Sequence, residues 1–296
     1  MTATAVSVGL KLGVVGKGGV GKTTVSGLLA RSYSRRGRRV VAIDTDSNPN
    51  LGLSLGLSLS DTEAVPVLPR AMLVGSGGSS SAEALVTDYG RPTPAGPTLL
   101  SAIRVAEAGA GCTCGGHATV RSLLADALVD VDVTLVDMEA GLEHLSRSGG
   151  TLAHAGVLLV VCEPTRKSVL TAARTATLAA ELGIPHVLAV GNKARTQEDV
   201  EFFASALAAE GIELAGVLSF DAQVAADDRA GTVGLSPIGA DTQVRLDSIL
   251  EAVDTAIGRS GVDNVYPTDT AVRGRILHRG KRQHSLGELD QGSHAG

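Results

Sequence analysis

Between Gly16 and Thr24 the chain reads GKGGVGKTT, four glycines threaded with two lysines and two threonines. The run satisfies G-x-x-x-x-G-K-[ST], a pattern whose chemistry is phosphate binding. The glycines let successive backbone N–H groups curl round a phosphate with no Cβ in the way, and a helix beginning at the end of the run adds its positive pole. Gly16, Lys17, Gly18, Gly19, Val20, Gly21, Lys22, Thr23 and Thr24 are therefore candidate nucleotide ligands. Lys22 is placed to reach β- and γ-phosphates, and the Thr23 hydroxyl to ligate Mg²⁺. Lys17 puts a second ammonium group in the same loop, which is tolerable when both share a polyanion.

Three further groups have the types and spacing for chemistry. Asp44-Thr45-Asp46 closes one apolar run and Asp137 closes another, VDVTLVD; carboxyl ends of strands are where open α/β sheets place their ligands. Asn192-Lys193 follows the apolar run ending at Gly191, and an Asn amide can pair with an adenine edge. Cys112 and Cys114 sit at i and i+2, so on an extended segment both sulfurs lie on one side. They are too close in sequence for an unstrained disulfide. Two thiolates are half of a tetrahedral site, and a second copy related by a two-fold axis would supply the other half. Zinc-type coordination wants four such ligands. His117 is either a further donor or a solvated loop residue, and Cys162, inside GVLLVVC, reads as a core thiol.

Elements that position these residues are visible as apolar runs alternating with helical patterns, the signature of βαβ units and a mostly parallel sheet covered on both faces. About seven strands are expected, at Leu10–Val15, Arg39–Asp44, Thr98–Val105, Val131–Asp137, Gly156–Cys162, Pro185–Gly191 and Leu214–Phe220. Helices are expected at Lys22–Arg35, Ala118–Leu128, Lys167–Leu182, Glu198–Glu210 and Asp241–Ile257, with Gly183 capping the third. The fold class is thus α/β. One domain over 10–257 is flanked by a short tail, 1–9, and a basic tail, 258–296, that lacks apolar periodicity. The Gly, Ser and Pro clusters at 74–81 and 91–98 read as loops. LGLSLGLSLS at 51–60 is too brief for a solenoid repeat.

Composition narrows the function classes. With 26 Lys+Arg against 31 Asp+Glu the net charge is −5, which offers no field to draw nucleic acid, so nucleic acid is disfavoured as a partner. Aromatics are 2% with no Trp, leaving little to stack on bases. No apolar run approaches the roughly 18 residues of a membrane span, and the N-terminus lacks a secretory pattern. Three cysteines, an odd number, fit no disulfide framework. A cytoplasmic location is expected. The arginines at 31, 35, 36, 38 and 39 read as solvated cations complementing a helix C-terminus.

KGGVGKTT resembles the deviant phosphate-binding loop of the MinD/ParA group of P-loop ATPases. The resemblance implies a nucleotide-dependent homodimer, ATP with Mg²⁺ as the nucleotide, and Lys17 reaching the nucleotide of the partner subunit. It implies that Asp46 is the switch I aspartate, acting on Mg²⁺ through water, and that Asp137 acts on Mg²⁺ likewise. Gly141, in DMEAG, resembles the switch II glycine that senses the γ-phosphate, and the strand-end Asn192 the residue that contacts the base. The usual D-x-D-P reads here Asp44-Thr45-Asp46-Ser47-Asn48-Pro49, with the proline displaced by two residues. Within the group, GCTC, DMEAGLEHLSR and EPTRKSVLTAARTATLAAELGI are similar to the maturation ATPases of carbon monoxide dehydrogenase. That similarity implies nickel delivery to a client dehydrogenase through Cys112 and Cys114. His144 stands where the related nitrogenase iron protein has a cluster-ligating cysteine, which disfavours a bridging iron–sulfur cluster. The alternative is a partitioning or positioning ATPase that binds DNA or a membrane-associated partner.

Overall fold

A computed structural model describes residues 9–69, 82–104, 114–125, 128, 130–141, 150–231 and 233–259. Eight strands form one sheet in the order β3-β4-β2-β5-β1-β6-β7-β8. They are β1 (Leu10–Gly16), β2 (Val40–Asp44), β3 (Arg91–Pro92), β4 (Thr98–Ser101), β5 (Val133–Asp137), β6 (Val157–Cys162), β7 (His186–Ala194) and β8 (Glu213–Ser219). All neighbours pair in parallel except the two-residue β3, which runs antiparallel to β4 at the edge. The seven expected strands are therefore present, with β3 added.

Period-2 alternation explains why the interior is apolar on both faces. In β1, Leu10, Leu12 and Val14 face one core layer and Val15 the other; in β6, Val157, Leu159 and Val161 face the first and Leu158, Val160 and Cys162 the second. The first layer is closed by α1 (Lys22–Arg35), through Val25, Leu28, Leu29 and Tyr33, and by the last helix, through Leu246, Ile249, Leu250 and Val253. The second is closed by α4 (Ala82–Tyr89), α5 (Cys114–Ala125), α6 (Arg166–Leu182) and α7 (Gln197–Ala209). The expectation at Cys162 holds: the thiol is fully buried, and burial pushes its pKa up to about 11.

The structure corrects the loop expected over 91–98, where Arg91–Pro92 form β3 and Thr98 opens β4, and among the described residues it adds four helices to those expected. Two short helices, α2 (Leu51–Ser54) and α3 (Leu59–Glu63), occupy the Leu-Ser repeat, and α4 follows the first Gly/Ser cluster. The fourth strand ends at Ser101 rather than running on to 105. A helix α8 (Ala222–Ala230) precedes the last one, α9 (Ala240–Gly258). Its limits were written in Asp221, whose carboxylate accepts from Gln223 N and Val224 N, and in Gly231, which ends it at φ 69°. Gly183 does the same for α6 at φ 77°.

The arginines at the end of α1 are not simply solvated. Arg31 Nη1 donates to the carbonyls of Val233 and Ser236 at 3.3 and 2.7 Å, Arg36 pairs with Asp247 at 2.8 Å, and Arg39 pairs with Asp130 at 2.7 Å. They tie α1 to α9 and to neighbouring loops.

Candidate functional site

β1 lies between β5 and β6, and the chain leaves it in opposite directions on its two sides: through α1 to β2 beyond β5, and through β6 to β7 and β8. Such a switch point opens a crevice at the carboxyl ends of the strands. The loop Gly16–Gly21 fills it. Gly16 adopts φ 149° with its α-carbon so close to β6 that an added Cβ would stand 2.5 Å from the Val161 carbonyl. At Gly21 φ is 93°, and a Cβ would stand 2.6 Å from Asn192 Nδ2. Only glycine meets both demands at either place. No side chain caps α1 at Gly21, so the donors of its first turn stay open to an anion.

The two lysines separate. Lys17 is exposed at the tip of the loop with Gly18 and Gly19, whereas Lys22 is 8% exposed. Burial lowers the Lys22 pKa, and the carboxylates of Asp137, Asp46 and Glu139 oppose that shift. Three acidic groups, rather than Lys17 and a shared anion alone, accompany the inner ammonium.

Beneath α1, Asp137 is 2% exposed. It accepts hydrogen bonds from the hydroxyls of Thr23 and, at 2.9 Å, of Ser26. Ser26 went unassigned in the sequence, although it lies one turn beyond Thr23 on the same face of α1. Asp44 pairs in register with Asp137 and is 1% exposed. Its two oxygens accept from Asp46 N at 3.0 Å and Leu51 N at 2.9 Å, so it shapes the loop that carries Asp46. Burial raises the pKa of both buried carboxyls, and in Asp44 the neighbouring Asp137 raises it further. Both therefore favour a cation close by.

Thr23, Asp46 and Asp137 form an all-oxygen donor set beside a phosphate loop, which fits Mg²⁺ completed by phosphate oxygens and water. Among the described residues, no group of three or more His, Cys, Asp or Glu could hold a metal unaided. Ser47 and Glu139, also missed in the sequence, join the two loops above this set: the Ser47 hydroxyl donates to Glu139 Oε1 at 3.0 Å. Gly141 lies at φ 127° where the β5 loop passes the phosphate loop, and with Gly16, Lys17, Gly18 and Thr171 it lines a cavity of about 320 Å³.

Asn192 and Lys193 lie within β7, not after it, because a bulge between Gly191 and Ala194 lets the strand continue past them. Asn192 Nδ2 donates to the Val20 carbonyl at 2.8 Å. Lys193, at φ 62°, donates through Nζ to the Gly19 carbonyl at 2.6 Å and to Glu163 Oε1 at 2.7 Å. Both thus grip the back of the phosphate loop. They also line a smaller cavity of about 170 Å³ with Gly21, Thr24, Phe220 and Asp221. Arg195 lies over the Phe220 ring, 3.9 Å from its centroid.

A family model described as the CobQ/CobB/MinD/ParA nucleotide binding domain matches residues 14–233. The chain belongs to that family. It is an ATPase with the P-loop fold of its relatives. It is 36% identical over 242 residues to the carbon monoxide dehydrogenase accessory protein CooC of Rhodospirillum rubrum, covering 75% of this chain and 88% of that one. An uncharacterised ATP-binding protein of Methanocaldococcus jannaschii is 32% identical over 252 residues, covering 79% of this chain and 93% of that one. Among solved structures, the MinD cell division ATPase of Pyrococcus furiosus superposes with a TM-score of 0.65 at 21% identity, over 83% of this chain and 99% of its own. MinD of Pyrococcus horikoshii, complexed with Mg-ADP, gives 0.64 at 20% identity, over 85% and 98%. These two likenesses speak for the fold.

The remaining candidates fall differently. His117 is not a solvated loop residue: it lies in α5 and is 3% exposed. Cys112, His144 and the basic tail from residue 260 onward lie outside the described residues, and of Cys114 only its backbone place, the first residue of α5, is described. No helix among the described residues is long and apolar enough to cross a membrane.

Proposed function

We propose that this chain is a cytoplasmic ATPase that dimerises with ATP, carries nickel or another soft metal such as zinc between the Cys112 and Cys114 pairs of two protomers, and delivers it during assembly of a metalloenzyme, carbon monoxide dehydrogenase by likeness to the CooC accessory protein. The observation that carries the reading is that a chain 36% identical to that accessory protein also holds a Cys-x-Cys pair, half of a soft-metal site. The exposed Lys17 supports the dimer: it stands clear of its own buried carboxylates and is free to reach a nucleotide bound by a partner subunit.

Within one protomer, the backbone N–H groups of Gly18–Lys22 and the α1 N-terminus would bind the β- and γ-phosphates, with Lys22 neutralising charge as it builds on the transferred group. Thr23, Asp46 and Asp137 would hold Mg²⁺, which supplies charge neutralisation when bound. Asp46 would orient the attacking water, and the Gly141 N–H would meet the γ-phosphate. Asn192 and Lys193 would hold the loop from behind, with Asn192 at the rim of a cavity suited to the base. Hydrolysis would open the dimer and so change the metal site that straddles it.

Anaerobic titration with Ni²⁺ and Zn²⁺ of the wild type and of Cys112→Ser/Cys114→Ser, with and without ATP, tests the reading. One metal per two chains, lost in the variant, is the expected result. Metal binding that ignores the cysteines removes the delivery role. ATP-dependent DNA binding at low salt would then favour the partitioning ATPase instead.

A further inference from the structure

Two loops leave the sheet side by side, one from β2 carrying Asp46 and one from β5 carrying Gly141, and the pairing of Asp44 with Asp137 starts them in step. For one residue more they are held like strands. Thr45 N and Oγ1 donate to the Asp137 carbonyl at 3.1 and 2.9 Å, and Glu139 N donates to Thr45 Oγ1 at 3.3 Å. Past that point the link becomes one of side chains: Ser47 Oγ donates to Glu139 Oε1 at 3.0 Å, both residues being half-buried.

The Asp46 loop does not need this bond for its own shape. It is already organised by Asp44, which accepts from Asp46 N and Leu51 N, and by Asp46 Oδ1, which accepts from Asn48 N at 2.9 Å. The Ser47–Glu139 bond therefore cross-links the loops. It also depends on this sequence in particular. With D-x-D-P spacing, position 47 would be a proline with no hydroxyl to give, whereas here the proline stands at 49. Glu139 lies, moreover, among the carboxylates that face the Lys22 ammonium, so the latch adjoins the group that meets the phosphate.

We propose that Glu139 is a positioning residue for ATP hydrolysis: by accepting the Ser47 hydroxyl it ties the Asp46 loop to the Gly141 loop, so that the two move as one when a γ-phosphate arrives or leaves. The bond joins two segments that leave the sheet separately, so that a displacement of one is carried through it to the other. Its loss through Ser47 loosens the Asp46 loop from the Gly141 loop while leaving Glu139 beside Lys22. This inference rests on the ATPase reading of the site and is independent of the cysteines.

Steady-state ATP hydrolysis with Mg²⁺ by Ser47→Ala, Glu139→Ala, their double variant and Glu139→Gln tests it. Each alanine variant is expected to lose about tenfold in kcat with KM for ATP unchanged, and the double variant to be no slower than the slower single one, as for two residues acting through one contact. Glu139→Gln, whose amide oxygen still accepts from Ser47, should keep most of the turnover. Multiplicative losses in the double variant overturn the latch, as does a Glu139→Gln as slow as Glu139→Ala, which would make the charge the active feature. If Glu139→Ala melts early or loses ADP binding, Ser47→Ala decides alone, since it leaves the carboxylate in place; wild-type turnover from it overturns the proposal. A wild type that hydrolyses no ATP defeats the ATPase reading itself, a separate failure.

Discussion

β1 and β6 are neighbours, run parallel in the same sheet, and each passes through a short loop into a helix; their two turns are built in opposite ways. After β6, Thr165 stands in extended conformation and its hydroxyl accepts from Ser168 N, the Ser168 hydroxyl accepts from Glu163 N, and α6 begins with its donors engaged. After β1 the turn is glycine, Gly21 caps α1 with no side chain, and the buried groups beneath are acidic. The first turn is complete as an element. The second is complete only when an anion fills the helix N-terminus and a cation sits against the carboxylates. A site is legible here as the place where the ordinary means of finishing a helix are withheld.

The contrast can be broken by substitution. The largest effect is expected at Lys22: Lys22→Ala should lower ATP turnover by about 100-fold or more, the scale of losing one donor aimed at developing charge, whereas Thr165→Ala should leave turnover unchanged. Residual activity near wild type in Lys22→Ala would detach this lysine from catalysis. Next comes Gly21→Ala, which forces a Cβ into left-handed backbone and against Asn192. It should cost about 1–3 kcal/mol of stability and, in a calorimetric titration, weaken ADP binding. Thr165→Ala should cost about 1 kcal/mol through the lost cap, read as a lower melting temperature, with ADP affinity intact. Equal effects of these two variants on ADP affinity would erase the distinction drawn between the two turns.

A smaller effect concerns pH. Burial, with Asp137 adding to it, raises the Asp44 pKa to about 7 from an ordinary 3.8. The folded chain therefore holds a proton that the unfolded chain has released, and that contribution to stability fades as the pH rises from about 4 to about 7. The nucleotide-free protein should melt lower at pH 7.5 than at pH 5.5 on this account, and Asp44→Asn should flatten the slope. An unchanged slope in the variant would assign the pH dependence elsewhere.

The sequence disclosed the phosphate loop and its two flanking aspartates because each is a local pattern: glycine spacing in one case, a carboxylate closing an apolar run in the other. It disclosed the sheet for the same reason, since Val- and Leu-rich runs between helical patterns have few other solutions. What stayed hidden was set by contacts across the sheet. Ser26 and Ser47 look like ordinary surface serines until α1 and β5 bring Asp137 and Glu139 to them, over 111 and 92 residues of chain. His117 changed from a loop to a buried helical position because α5 begins at Cys114, three residues ahead of it. The short helices α2 and α3 span four and five residues, too few to show a period. Asn192 and Lys193 seemed to follow their strand because no local signal marks a bulge.

The smallest element has its own consequence. β3 is the two residues Arg91 and Pro92, both exposed, laid antiparallel along β4. A parallel sheet ending at β4 would present a row of open N–H and C=O groups to any extended chain, the template on which sheets grow into aggregates. Proline offers no N–H to an incoming strand, and the arginine beside it brings charge to the same edge. This flank of the sheet is thereby guarded from edge-to-edge growth by strand pairing.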